Sequence, residues 1–401
     1  MKLIFVNRYF HPDHSATSQL LCDLAFHLAR QAGREVCVVT SRQRYDDPEA
    51  RLPARERVNG VDVHRAWTTG FGRGSLPGRA LDYLSFYVAA ALALGRLASR
   101  GDVIVAMTDP PLISVVAGFV AHLRGARLVN WVQDAFPEVA QALGVRVPFA
   151  AWLRALRNRS LRSAGMNVVL GERMADWARA QGVPDRRFVV IPNWADGDAI
   201  RPLAHADNPL RQEWGLAGRF VVAYSGNLGR AHDYQTLLDA AERLRAESDI
   251  VFLFIGGGHH RTAVDAAVKA RGLENIRFLP YQPRERLCRS LGLADAHWLS
   301  LVPALEGLIV PSKFYGVLAA GRPAVMVGDA EGEIGRMLAR YDCGMTVAVG
   351  QGAELAKAIL RLRDAPELCD AMGRRARAAF DAHHARGLAF AAWEGLLGRL
   401  P

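Results

Sequence analysis

The chain is 401 residues long and half hydrophobic, enough for two domains, each with its own core. Its 50 Lys+Arg against 40 Asp+Glu leave a net charge of +10, which suits a phosphorylated small molecule, an anionic lipid headgroup or a nucleic acid. Five cysteines (Cys22, Cys37, Cys288, Cys343, Cys369), odd in number and far apart, lack disulfide or metal-ligand spacing and point to thiols in a reducing compartment.

The chain begins directly in a strand-like segment, without a signal-peptide pattern. Strands are expected over 3–6, 36–40, 61–65, 103–107, 128–131 and 167–170, with helices over 18–31, 82–99 and 112–124. The apolar runs 86–94 and 112–123 fall short of the ~18–20 residues of a bilayer span, so a cytoplasmic protein is expected. The second half repeats the scheme, with strands over 220–224, 251–255, 276–278, 296–301, 324–327 and 345–347. Its helices are expected over 233–245, 261–271, 284–291, 313–320 and 334–340.

Apolar strands joined by helical crossovers predict an α/β fold with two parallel sheets, each covered on both faces. The Pro-, Gly- and Asp-rich segment 192–209 is the expected boundary and hinge. The expected division is a Rossmann-like domain over 1–195 and another over 205–385, facing each other across a cleft. A C-terminal helix over 386–401, with Phe390, Trp393, Leu396 and Leu397 on one face, would cross back to the first domain.

Ligands of open α/β sheets sit beyond the carboxyl ends of the strands. One such loop, SGNLGR at 225–230, has Gly226 and Gly229 to let amides approach a phosphate and Arg230 to add a bidentate contact. An ordinary turn is the competing reading. Gly256, Gly257 and Gly258 signal backbone crowding, by a ligand or by the loop itself. The loop RYFHPDHS at 8–15 carries His11, Asp13, His14 and Ser15, either as a mobile loop facing the cleft or as a metal set of His11, Asp13 and His14. In WVQDAFPE at 131–138, Asp134 and Glu138 are candidate acid/base or acceptor-orienting groups, against a capping Asp and a solvated Glu.

The stretch 306–323 carries the most information. Glu306 and Lys313 lie on a loop before a short helix that starts near Ser312, whose hydroxyl would cap it, and stops at Gly321. Free amides and the dipole at such a helix start suit a diphosphate. Lysine occurs only at Lys2, Lys269, Lys313 and Lys357, so its placement here points to a compact point charge. Elsewhere, Phe149, Trp152, Leu153 and Leu156 form an apolar stripe flanked by Arg154, Arg157, Arg159 and Arg162. Such a helix either lies on an anionic membrane or packs its stripe on the first domain.

These motifs, together with Pro192-Asn193-Trp194, resemble nearly end to end a bacterial glycosyltransferase of the GT-B fold in the retaining family 4. More narrowly, the chain resembles the fucosaminyltransferase and colanic-acid-type enzymes of surface-polysaccharide assembly. The resemblance implies transfer of a sugar, such as an N-acetylated deoxyhexosamine, from a nucleotide sugar to a lipid-linked saccharide or glycan, without a metal or other cofactor. It implies donor contacts from Gly226, Asn227, Gly229, Arg230, Gly256, Gly257, Ser312, Lys313 and Tyr315 in the second domain, with Glu306 on the donor sugar. Asp134, Glu138, His11, Asp13, His14 and Ser15 would serve the acceptor in the first, and Glu306, Asp134 and Lys313 would carry the chemistry.

Two departures stand out. Gly316 occupies the place of the family's second glutamate, and Asn227 and His232 stand where many members carry Arg and Lys. The expected location is cytoplasmic, with contact at the inner membrane and no nucleic-acid partner. A nucleotide-sugar 2-epimerase on the same architecture is the alternative. A dinucleotide-dependent dehydrogenase lacks its glycine fingerprint after the first strand. A purely basic binding protein would account for the charge but not for the loops.

Overall fold

The computed structural model describes residues 1–45, 47, 49–72 and 76–400; Pro401, the end of the expected C-terminal helix, lies outside the described residues. The chain forms two compact units, Met1–Ile191 with Ala392–Pro401, and Pro192–Ala391.

The first unit holds strands β1 (Lys2–Val6), β2 (Glu35–Ser41), β3 (Arg55–Val58), β4 (Val61–Ala66), β5 (Val103–Ala106), β6 (Arg127–Trp131), β7 (Met166–Val169) and β8 (Phe188–Val190). They form one sheet in the order β3-β4-β2-β1-β5-β6-β7-β8, parallel except for the β3–β4 hairpin. β3 and β8 were not among the expected strands. The β3 sequence, Arg-Glu-Arg-Val, has no apolar run, and it lies at a sheet edge. Its turn, however, is Asn59-Gly60 with φ of 48° and 87°, the two positive values that a tight hairpin demands and that this residue pair tolerates.

Two helices, Leu76–Leu97 and Ile113–Arg124, cover one face of this sheet. Phe86, Ala90 and Leu94 of the first, with Ala117 and Val120 of the second, pack on Ile4, Val6, Val39 and Ile104. The first helix starts ahead of the expected residue 82, and its span Pro77–Leu97 is long and apolar enough to cross a membrane by length and composition. The expectation from apolar runs missed this because Pro77, Gly78, Arg79 and Asp82 interrupt the run without ending the helix. From the chain's end, Trp393 packs edge-on against Trp131 with ring centroids 4.8 Å apart, and both rings are buried.

The second unit is a six-stranded sheet, parallel throughout: β9 (Phe220–Asn227), β10 (Ile250–Gly257), β11 (Ile276–Leu279), β12 (Ala296–Ser300), β13 (Ala324–Val327) and β14 (Gly344–Val347). Alternate residues enter separate cores: Val222, Tyr224, Phe252 and Phe254 on one face, Val221, Ala223, Val251 and Leu253 on the other. Burial on both sides is why these strands read as unbroken apolar runs. The order β11-β10-β9-β12-β13-β14 reverses between β9 and β12. Those two strands pair only through Ala296 with Val222 and His297 with Ala223. The carboxyl ends of these two strands therefore mark the switch point, the place where α/β sheets hold ligands.

Candidate active site

The strand ends at the switch point are rich in glycine. Gly256 and Gly257 of β10 pair with Gly226 and Asn227 of β9 to the ends of both strands. A methyl group on Gly256 would lie 2.4 Å from the Gly226 carbonyl oxygen, and one on Gly258 would lie 2.4 Å from the Asn227 side-chain oxygen. Gly257 faces the Tyr281 ring in the same way, at 3.2 Å. The triple glycine is therefore accounted for by the packed loop itself. Gly226 has φ +129°, and a methyl there would sit 2.7 Å from Lys313 Cε, so the SGNLGR turn and the Lys313 segment meet.

Lys313 reaches across this turn to His232. Its Nζ is 3.2 Å from His232 Nε2 and 5.1 Å from the centroid of the Tyr224 ring. His232 Nδ1 lies 2.6 Å from the Ser300 carbonyl, at the end of β12. A carbonyl only accepts, so Nδ1 carries the imidazole proton and Nε2 is left to accept from the ammonium. Burial, and secondarily the Lys313 charge, push His232 down to about 3, which keeps it neutral. Burial lowers Lys313 to about 8. The switch point thus presents a partly buried ammonium, bonded to a neutral acceptor and with further protons to donate. Arg230 is exposed on the same turn, where its Nε donates to His259 Nε2 at 3.1 Å. Asn227 is exposed beside it, a methyl on Gly229 would meet the Asn227 side-chain nitrogen at 3.7 Å, and the Gly229 carbonyl accepts from the His232 amide at 3.1 Å.

The short helix behaves differently from expectation. It spans Lys313–Ala319, and the Ser312 hydroxyl makes no capping bond, because Ser312 is itself in the helical region (φ −62°, ψ −21°). The Phe314 and Tyr315 amides already donate to the Pro311 and Ser312 carbonyls, at 3.2 and 3.3 Å. The charge this segment offers is therefore the Lys313 side chain rather than the helix terminus. Tyr315, two residues on, faces the opposite side of the helix. It is fully buried, with its ring 5.2 Å from that of His384, which removes it from the Lys313 side.

Glu306 is oriented by a second helix, Glu333–Tyr341. Its Oε2 accepts from the Glu333 amide at 3.1 Å, a carboxylate placed at a positive helix end. Gly332 leaves room for it, since a methyl there would lie 2.3 Å from Oε1.

In the first unit the structure separates the loop residues. Asp13 is buried, and its carboxylate accepts from the Ser15 amide at 2.8 Å and from the Tyr45 amide. It organises the loop and is not left to meet an acceptor or a metal. Among the described residues, His11, Asp13 and His14 do not converge as a ligand set. His11 is half-buried against Phe26 and shifted down, chiefly by burial; His14 is exposed, and Ser15 precedes the helix Ala16–Ala29 without a side-chain cap. Glu138 is also committed. Arg157 donates to both its oxygens, at 2.7 and 3.1 Å, and Arg154 to one at 3.1 Å. Asp134 keeps an exposed edge at the end of β6. The protein crowded around it, with the Asp109 charge as a lesser cause, raises its carboxyl to about 6, and water at the exposed edge tempers the effect.

His232 is the residue that the candidate set lacked. Its signal was in the chain: it follows the glycine turn within the same strand-to-helix loop. Arg8 is a second. It is buried, 3.4 Å from buried Asp82, and holds the start of the 8–15 loop.

Two Rossmann-like units in series define the GT-B class of fold. Family models cover most of the chain: a glycosyl transferase 4-like domain matches residues 18–194, and glycosyl transferases group 1 matches residues 207–379. The chain belongs to the family 4 glycosyltransferases, which these two domains make up. It is 27% identical over 237 residues to the putative colanic acid biosynthesis glycosyl transferase WcaI of Escherichia coli, covering 57% of this chain and 58% of that protein. It is 29% identical over 271 residues to the probable glycosyltransferase WbjE of Pseudomonas aeruginosa, covering 65% and 66%. The matches thus span less than two thirds of either relative. The crystal structure of Anabaena HepE in complex with UDP superposes over 100% of both chains with a TM-score of 0.75 at 14% identity.

Proposed function

We propose that the chain transfers a sugar, with retention of anomeric configuration, from a nucleoside diphosphate donor to a lipid-linked saccharide or glycan. The setting would be assembly of a bacterial surface polysaccharide at the cytoplasmic face of the inner membrane, with an N-acetylated deoxyhexosamine as a candidate sugar. The name of WcaI and the UDP complex of HepE support this reading. The observation that carries it is Lys313, whose partly buried side chain crosses the glycine turn at the point where the sheet order reverses.

Lys313 would stabilise the charge that grows on the departing diphosphate, in a place where burial strengthens the interaction. Arg230 would swing from His259 to add a second contact. Glu306, anchored by the Glu333 amide, would meet the donor sugar. The acceptor hydroxyl would attack from the face that the diphosphate leaves, with its proton passing to that leaving group and Asp134 orienting the acceptor. The positive charge comes from side chains, so we propose that turnover needs no metal and survives EDTA. A nucleotide-sugar epimerase would use a His11, Asp13 and His14 cluster, and Asp13 is spent on the Ser15 and Tyr45 amides.

Incubation with a panel of nucleotide sugars and a lipid-linked acceptor, read as nucleoside diphosphate release, tests the assignment. Lys313→Ala should lower turnover by on the order of 10²–10³, the loss typical of removing one transition-state donor. A variant as fast as the parent would overturn it.

A further inference from the structure

The first unit turns an apolar surface to solvent. Helices Leu76–Leu97, Ile113–Arg124 and Ala150–Ser163 pack side by side in that order. Helix Leu76–Leu97 spends Phe86, Ala90 and Leu94 on the sheet, and the side about half a turn away carries Leu84, Val88 and Leu92. Only 22% of its most apolar stretch is buried, although a helix apolar all round normally lies inside a protein or a membrane. Phe119 and Leu123 of the second helix and Trp152 of the third also point outward. All six side chains are between 56% and 64% exposed.

The charge on these helices has one sign. The only acid in the three is Asp82, which is 1% exposed and paired with Arg8. Arg96, Arg124 and Arg159 are exposed on the same helices, and Arg100 and Arg146 flank them. An apolar face with an aromatic anchor, a basic rim and no accessible carboxylate matches the interfacial zone of an anionic bilayer.

We propose that the outer face of these three helices is a docking surface for an anionic phospholipid bilayer, lying flat in the headgroup region. In sequence the 149–162 segment stands alone as an amphipathic helix; in the structure it is one third of a platform. Arg154 and Arg157 are drawn off to Glu138, so Arg159 and the neighbouring helices supply the basic contacts. All these residues belong to the first unit, so binding here can fail while donor binding by the second stands, and the reverse.

Flotation of the full chain with vesicles of phosphatidylglycerol and phosphatidylcholine, against phosphatidylcholine alone, tests the proposal. The parent should partition to the anionic vesicles and lose binding as salt rises. The Phe119→Glu, Leu123→Glu double variant should lose at least about tenfold in partitioning, and Arg159→Glu severalfold. If the double variant melts early, Trp152→Ala, a single exposed change, carries the test. The proposal is overturned if the parent stays unbound to anionic vesicles or if the variants bind like the parent. It is equally overturned if, without lipid, the parent forms a dimer that the double variant dissolves, since a second copy would then cover the face.

Discussion

Lys313 and His232 form a pair in which only one member is charged. With its pKa lowered to about 8 by burial, Lys313 is depressed relative to the unfolded chain. Its ammonium therefore costs folding stability below pH about 8, and the cost fades as pH climbs toward the unfolded value near 10.4. For ligand binding the sign is opposite. A diphosphate prefers the charged form, so UDP affinity should be flat below pH about 8 and then weaken by up to about tenfold per unit. His232→Leu removes the acceptor of the Lys313 proton, which further disfavours the buried charge, so the fall should begin at lower pH. His232→Gln, which keeps an acceptor at similar reach, should restore much of the parental profile. Calorimetric titrations with UDP over that range check this; an affinity unchanged across it would mean that Lys313 does not meet the diphosphate. Sequence reasoning found the lysine from its rarity and position. It did not find the histidine's part, because that depends on the Ser300 carbonyl, 68 residues away in the chain.

Helices and loops explain why some candidates were misplaced. A carboxylate in a loop after a strand reads alike whether it faces a substrate or a partner distant in sequence. Glu138 resolves to the latter: Arg157 is 6% exposed, grips both its oxygens and lies 4.6 Å from the centroid of the Trp177 ring. Glu138→Ala would leave that guanidinium its bonds to Asn158 and the Phe136 carbonyl but no counter-charge, and removing one partner of a buried pair costs about 3–5 kcal/mol. With Glu138 keeping some solvent, about 3 kcal/mol is expected, measured by urea unfolding, with UDP affinity unaltered. A loss below about 1 kcal/mol would reduce the pair to a surface contact. The glycines tell a similar story. Crowding at 256–258 is legible in the sequence, but that the end of β9 crowds Gly256 and Gly258 (φ +126° and +130°) while Tyr281 crowds Gly257 follows only from the structure. The residue type of Ser312 suggests a cap, while its backbone lies in the helical region, where a capping residue does not sit.

At the scale of the whole chain, the two parallel sheets were legible because strands buried on both faces must be apolar throughout. β3 escaped because an edge strand need not be apolar, and β8, Phe188-Val189-Val190, because three residues are too short a run to stand out. Where the chain divides is a finer matter, since the last residues are assigned to the first unit although they follow the whole of the second. Trp393 is fully buried on Trp131, and the Glu394 carboxylate accepts from Gln31 and is paired with His27 at 2.6 Å. All of these partners lie in the first unit. Deleting residues 392–401 also removes buried Leu396 and Leu397, so it should destabilise that unit by more than about 3–5 kcal/mol, the loss typical of a buried tryptophan alone. Gly226, Arg230, His232, Glu306 and Lys313 all fall within 192–391, so UDP binding should persist while a separate, earlier melting transition appears. Calorimetry of the truncated chain with and without UDP decides it. A ligand-responsive transition that shifts together with the early one would show that the units melt as a single body, and an unchanged thermogram would show that Trp393 contributes little to the first core.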